Sequence, residues 1–207
     1  DTVDSWVEEC KEGKFKRGDG WQQFSERTEV IKRKKHSDEK MTFHENLHGV
    51  LEGDPNEPGR YLATRWVASE SGAISLMASL KMATATNAEQ AMANLGLFES
   101  AWNWVIADKA GDIAYQMSGL MPKRHPNWNG FTPAPGWDAD YDWQGVVDLN
   151  DLPRSFNPEE GYIVTANQDL NHLGKEAPIN MPMGDYRAVR IEDVLSASDQ
   201  HDVQSTQ

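Results

Sequence analysis

Strand character is strongest over residues 26–33 and 42–47, and the charged stretch 34–39 between them predicts a hairpin. A Gly-, Pro- and Asp-rich loop over 52–59 leads into a further strand at 60–67, carried by Tyr61, Leu62, Trp66 and Val67. Residues 1–12 read as an extended segment passing into a short helix or strand, and Gly13, Gly18 and Gly20 mark turns around Trp21. The pattern then lengthens. Ile74, Met77, Ala78 and Met82 recur at the spacing of a buried helical face. Thr86 and Glu89 form a capping-box pattern ahead of Ala91, Met92, Leu95 and Phe98, which predicts a second helix. Strands follow at 102–107 and 113–117 around a turn at 108–112, then a strand at 161–166 and an amphipathic helix at 187–195.

Between 122 and 158 the chain is rich in Trp, Pro and Gly and poor in regular elements, which is unusual in a domain unless the stretch is functional or packed onto a scaffold. Trp128, Trp137 and Trp143 could form a sugar-stacking surface; pinning an irregular loop to a scaffold is the commoner use of such side chains. There is no internal repeat and no clean linker. Residues 1–195 therefore read as one domain, or a contiguous part of one, of α+β type, and the polar residues 196–207 as a disordered tail.

Composition narrows the classes. With 38% hydrophobic and 9% aromatic residues in 207, the chain can bury a core. No apolar run reaches the roughly 18 residues of a membrane span, and the first residues lack the basic start and apolar stretch of a signal peptide. A net charge of −13 argues against phosphate-backbone binding, and the single basic run, Lys32 to Lys35, reads as a solvated strand end or hairpin tip. The one cysteine, Cys10, excludes an internal disulfide framework and a CxxC metal site. Its acidic neighbours, Glu8, Glu9 and Glu12 in a helical-looking stretch, disfavour a thiolate.

The six histidines form no recognised pair, since His44 and His48 sit four apart in a strand-like context where they would not converge on one ion. Phosphate-loop, HExxH and GxSxG motifs are absent. The start of the chain is more suggestive. Asp1 and Asp4, with the Val3 carbonyl between them, are oxygen donors of the type calcium takes, although two carboxylates do not fill a shell of six to eight oxygens.

A series of uncommon phrases gives a more specific reading. In order along the chain these are His48-Gly49-Val50-Leu51, Tyr61-Leu62-Ala63-Thr64-Arg65-Trp66, Asn103-Trp104-Val105-Ile106-Ala107-Asp108 and Gly111-Asp112-Ile113-Ala114-Tyr115. They continue with Gly119-Leu120-Met121-Pro122-Lys123-Arg124, Pro133-Ala134-Pro135-Gly136-Trp137, Asp142-Trp143-Gln144-Gly145, Gly161-Tyr162-Ile163-Val164-Thr165-Ala166-Asn167 and Tyr186-Arg187-Ala188-Val189-Arg190-Ile191. This order resembles the large chain of the penicillin acylase family and covers nearly everything to residue 195.

The resemblance implies part of an αββα N-terminal-nucleophile hydrolase sandwich with mainly antiparallel strands. It implies an amide hydrolase whose nucleophile is an N-terminal Ser with its own α-amine as base, a usable pairing because an α-amine titrates near pH 8. Residue 1 is Asp, so the resemblance places the nucleophile outside this chain and makes the chain inactive alone. It implies that Asn167 donates to the oxyanion and that Arg187, with Arg190 as the register alternative, organises it. Ser79 and Trp102 fall where the family builds its acyl pocket, and Asp1, Val3, Asp4 and Pro122 where it holds structural calcium. No organic cofactor is implied. The implied partners are a small N-acyl amide substrate, the α chain and the remainder of the β chain, with no nucleic acid or membrane, in a periplasmic or secreted parent. Val50 and Gln168 depart from the family's usual Pro and Asn. The alternative to the hydrolase is a non-catalytic Trp-rich module binding carbohydrate or protein.

Overall fold

A computed structural model describes residues 2–198, 200–202 and 204. In chain order the strands and helices are β1 (Val3–Lys11), β2 (Lys14–Arg17), β3 (Gly20–Gln23), β4 (Ser25–Ile31), β5 (Glu39–Asn46), β6 (Gly49–Leu51), β7 (Gly59–Trp66), α1 (Ile74–Met82), α2 (Ala88–Gly96), β8 (Trp102–Ala107), β9 (Ile113–Ser118), β10 (Ala134–Pro135), β11 (Arg154–Phe156) and α3 (Tyr186–Ser196). They divide between two compact units, one of residues 2–70 with 122–145 and the other of residues 71–121 with 146 onward.

The first unit is a sheet of order β3-β2-β1-β7-β6-β5-β4. Its spine is the antiparallel pair β1 and β7, in register from Val3 opposite Trp66 to Cys10 opposite Gly59. The stretch 1–12, open between helix and strand in the sequence, is thus a central strand, and its period of two buries Asp4, Trp6, Glu8 and Cys10. Two of those four inward residues are acids, which an apolar alternation does not predict. The expected hairpin is β4 and β5, but β4 is exposed along its whole length. Gly49 has φ +95°, and a Cβ there would collide with the Thr64 carbonyl, so only glycine lets β6 approach β7.

The Trp-rich stretch is packed rather than free. Trp6 lies against Trp128 and Trp143 at 5.3 and 5.8 Å between ring centroids, and its Nε1 donates to the Tyr141 carbonyl at 3.0 Å. β10 pairs in parallel with β1. These contacts answer the backbone polar groups of a segment with few ladder bonds of its own.

In the second unit β9 is the centre of an antiparallel sheet of order β11-β9-β8. Ala114 on one face of the sheet packs with Ile106 against Ala88, Ala91, Met92 and Leu95 of α2. Tyr115 and Met117 on the other face pack against Met121, Leu152 and Leu170. The α2 cap lies one residue later than the Thr86–Glu89 pattern: the Asn87 side chain accepts from Gln90 N at 2.8 Å, while Thr86 binds the Gln90 side chain. The helix at 74–82 forms, but its expected buried face does not, since only Ala78 is buried. Residues 161–166 are not a strand. Their backbone groups at Val164 and Ala166 bind the Gln168 side chain instead of a neighbouring strand.

Both units are mixed or β, with strands mainly antiparallel, as the sequence implied. Cys10 belongs to a strand, not a helix. Burial first, then Glu8 and Glu9, pushes its thiol up to about 12, so it is the inert residue that its neighbours suggested. Among the described residues no helix is long and apolar enough to cross a membrane.

Candidate active site

Asn167 holds the left-handed backbone conformation, with φ +67°. That region costs an ordinary L-residue roughly 1–2 kcal/mol, and Asn occupies it more readily than most. Its carbonyl accepts from Met183 N at 2.7 Å. Its side-chain Oδ1 accepts from Arg187 Nη2 at 2.9 Å, and the same guanidinium nitrogen donates to the Ala166 carbonyl at 2.6 Å and meets Met183 Sδ at 3.3 Å.

This settles how the Asn167 amide is turned. A guanidinium only donates, so the atom facing it must be the amide oxygen, and the NH2 group is directed elsewhere as a donor. Helix α3 supplies the arginine from its first turn, at Arg187; Arg190 makes no contact of this kind.

Asn167 lines a cavity of about 520 Å³ together with Ala101, Trp102, Asn103, Gln168 and Met181, a size suited to a small molecule. Trp102 opens β8 and is 58% exposed, so its indole is available to a ligand. The sequence-predicted Asn167, Arg187 and Trp102 are therefore brought together in one unit. Ser79 is not among the residues lining this cavity. Its hydroxyl turns back along α1 to donate to the Ser75 carbonyl at 2.9 Å, the usual behaviour of a mid-helix serine. Gln168 is a site residue that the sequence flagged only as a departure, and nothing in its spacing announced its two backbone contacts.

Of the implied cation ligands, Asp1 lies outside the described residues. Val3 is 44% exposed, Asp4 is buried and Pro122 is buried. Asp4 Oδ2 accepts from Arg124 Nε at 2.8 Å and from Trp143 Nε1 at 2.5 Å. Its Oδ1 is buried and has no partner among the described residues, and Gly130 passes so close that a Cβ there would strike it. An orphaned carboxylate oxygen in a cradle kept open by glycine fits a cation. Among the described residues no three His, Cys, Asp or Glu side chains gather for a metal, so backbone carbonyls would have to complete the shell.

The sheet unit holds a second polar cluster. His48, taken from sequence as unpaired, is buried with Nδ1 at 2.6 Å from Glu8 Oε1 and Nε2 at 2.9 Å from Asp142 Oδ1. Its ring stacks on Trp6 at 4.4 Å. Asn46 Nδ2 also donates to Glu8 Oε1, at 2.7 Å, and Arg17 pairs with Asp142 and donates to the Gly136 carbonyl. The cluster ties β1, β2 and the turn before β6 to the segment at 136–142.

The penicillin amidase family profile matches residues 1–207. The acyl-homoserine lactone acylase QuiP of Pseudomonas aeruginosa is 31% identical over 199 residues, covering 89% of this chain and 23% of that protein. The penicillin acylase 2 proenzyme of a Pseudomonas species is 32% identical over 169 residues, covering 78% of this chain and 21% of that protein. The solved structure of a thermostable penicillin G acylase from Alcaligenes faecalis superposes with a TM-score of 0.84 over all of this chain and 38% of its own, at 23% identity. The chain thus spans about a fifth of the length of the curated relatives it matches.

Proposed function

The chain belongs to the penicillin amidase family, and on that premise we propose that it is a part of an N-terminal-nucleophile amide hydrolase supplying the oxyanion donor and its orienting arginine. The observation that carries this reading is the contact of Arg187 Nη2 with Asn167 Oδ1 at 2.9 Å, beside a cavity that Asn167 lines. Attack on an amide carbonyl turns its oxygen into an anion, and a donor already aimed at that oxygen lowers the barrier without reorganising during the reaction. Arg187 fixes the Asn167 amide with its NH2 outward, so Nδ2 is the donor. Trp102 forms a wall of the acyl pocket.

The nucleophile in this reading is an N-terminal Ser on another segment of the precursor, with its own α-amine taking the proton. The partners are that segment, the α chain and an N-acyl amide substrate of the kinds the relatives' names carry, a penicillin or an acyl-homoserine lactone. Asp1, Val3, Asp4 and Pro122 would hold calcium, whose contribution is to occupy Asp4 Oδ1, the oxygen that Arg124 does not pair, and to fix the start of β1. We place the parent in the periplasm or outside the cell, which fractionation of the source cells checks.

The test is Asn167→Ala in the intact, processed parent, assayed on chromogenic N-acyl amides. The expected outcome is a loss of about a hundred- to thousandfold in kcat with the fold retained. A near-normal rate refutes the oxyanion role. Under the same conditions the 207-residue chain alone is expected to give no turnover, and turnover by it would mean that the nucleophile lies within it.

A further inference from the structure

Resting on the oxyanion reading of Asn167, we propose that Gln168 is a positioning residue, whose side-chain amide holds the Asn167 backbone in its left-handed turn. Gln168 Oε1 accepts from Ala166 N at 2.6 Å, and Gln168 Nε2 donates to the Val164 carbonyl at 2.9 Å. One side chain therefore closes two rings over the residues just before Asn167. Among the described residues, 161–166 pair with no strand, and these two bonds hold backbone groups that no ladder bond fixes there.

The geometry divides the work around Asn167. Arg187 acts on the side chain and on the Ala166 carbonyl, and Met183 N takes the Asn167 carbonyl. Neither contacts the Ala166 N–H or the Val164 carbonyl, which Gln168 serves. Oriented both ways at once, the Gln168 amide specifies the direction from which the chain enters the left-handed residue. An apolar side chain of the same length could fill the space but could not bond to either group.

Gln168 also lines both the Asn167 cavity and an adjoining one of about 370 Å³ bounded by Tyr162, Leu170 and Leu173. It is the wall between them, so a loosened turn at 166–168 would shift the donor and the wall together. A displacement of about 1 Å in a catalytic donor can cost on the order of a hundredfold in rate.

The experiment compares Gln168→Met, Asn167→Ala and the double variant in the processed parent, using the best-cleaved member of a panel of chromogenic N-acyl amides. Gln168→Met is expected to lower kcat at least tenfold with KM within twofold, and to have no further effect on the Asn167→Ala background. Gln168→Glu keeps the acceptor for Ala166 N but loses the donor to Val164, and is expected to fall between Met and wild type. It replaces Gln168→Met in the cycle if that variant does not fold. A Gln168 variant within twofold of wild-type kcat, while Asn167→Ala is crippled, overturns the positioning role alone. Equal fold-losses on both backgrounds also overturn it, since they mark a general structural effect. A normal rate in Asn167→Ala removes the reading of Asn167 itself, and the two failures are thereby told apart.

Discussion

His48→Ala tests how far buried polar contacts, rather than apolar area, hold the sheet unit together. The substitution takes a partner from Glu8, which is 0% exposed; among the described residues its side chain then retains only Asn46 Nδ2, and its Oε2 has no partner. Breaking a buried charged contact from one side costs about 3–5 kcal/mol, because the other group is left desolvated. Loss of the stack on Trp6 adds to this, whereas Asp142 gives little, since it keeps Arg17 and its side chain is 25% exposed. At about 2–4 °C per kcal/mol for a chain of this size, the melting midpoint should fall by roughly 10 °C. Tryptophan fluorescence is a suitable readout because Trp6, Trp128 and Trp143 surround the site. Glu8→Gln on the His48→Ala background should recover part of the loss by removing the stranded charge. A midpoint within 2 °C of wild type, or no recovery in the double variant, would show that the cluster contributes little.

Acid should loosen the α2 layer. The backbone N–H of Ala88, with those of Asp112, Ala110 and Gly111, holds Asp108 below its ordinary 3.8, and the N–H of Gly72 with Ser75 holds Glu99 below its ordinary 4.5. The fold thus favours both ionised forms: their stabilisation is complete above those ordinary values and is lost as pH falls through the folded-state titrations. Asp108→Asn should flatten the acid limb of the midpoint-versus-pH curve, and an unchanged limb would rule Asp108 out as its source. For the cation, millimolar calcium should raise the melting midpoint of the processed parent, an effect that Asp4→Asn removes; a midpoint indifferent to calcium sinks that proposal.

The strands β4, β5, β7, β8 and β9 were legible because their signals are local. β7, β8 and β9 match the expected segments to within a residue or so at each end, and the hairpin of β4 and β5 needed only a charged turn between two strand-like runs. What failed was burial. Ile74 and Met77 have helical spacing, yet they are 53% and 52% exposed, because periodicity states that a face exists without stating what covers it. The strand expected at 161–166 failed for a related reason. Tyr162, Ile163 and Val164 have strand propensity, but a strand also needs a neighbour with free ladder groups, and a side chain two residues past the segment took its place.

The site was legible only through the order of its phrases. Asn167 on its own reads as a turn asparagine, and the structure keeps that description true, at φ +67°. The turn and the proposed chemistry require the same residue. An asparagine tolerates the left-handed backbone, and its amide, once Arg187 holds the oxygen, has its donor side turned outward. Glycine would enter the turn more easily but carry no donor; glutamine would carry the donor on a longer stem in a backbone it resists. His48 opens one of those phrases, but nothing in it announced the buried contacts, because its partners Glu8 and Asp142 lie 40 and 94 residues away and become neighbours only once the sheet unit is assembled and β10 pairs with β1. Gln168 lay between these cases. It was visible as a departure from the family's usual residue, and the backbone groups it serves became apparent only when the expected strand proved not to exist.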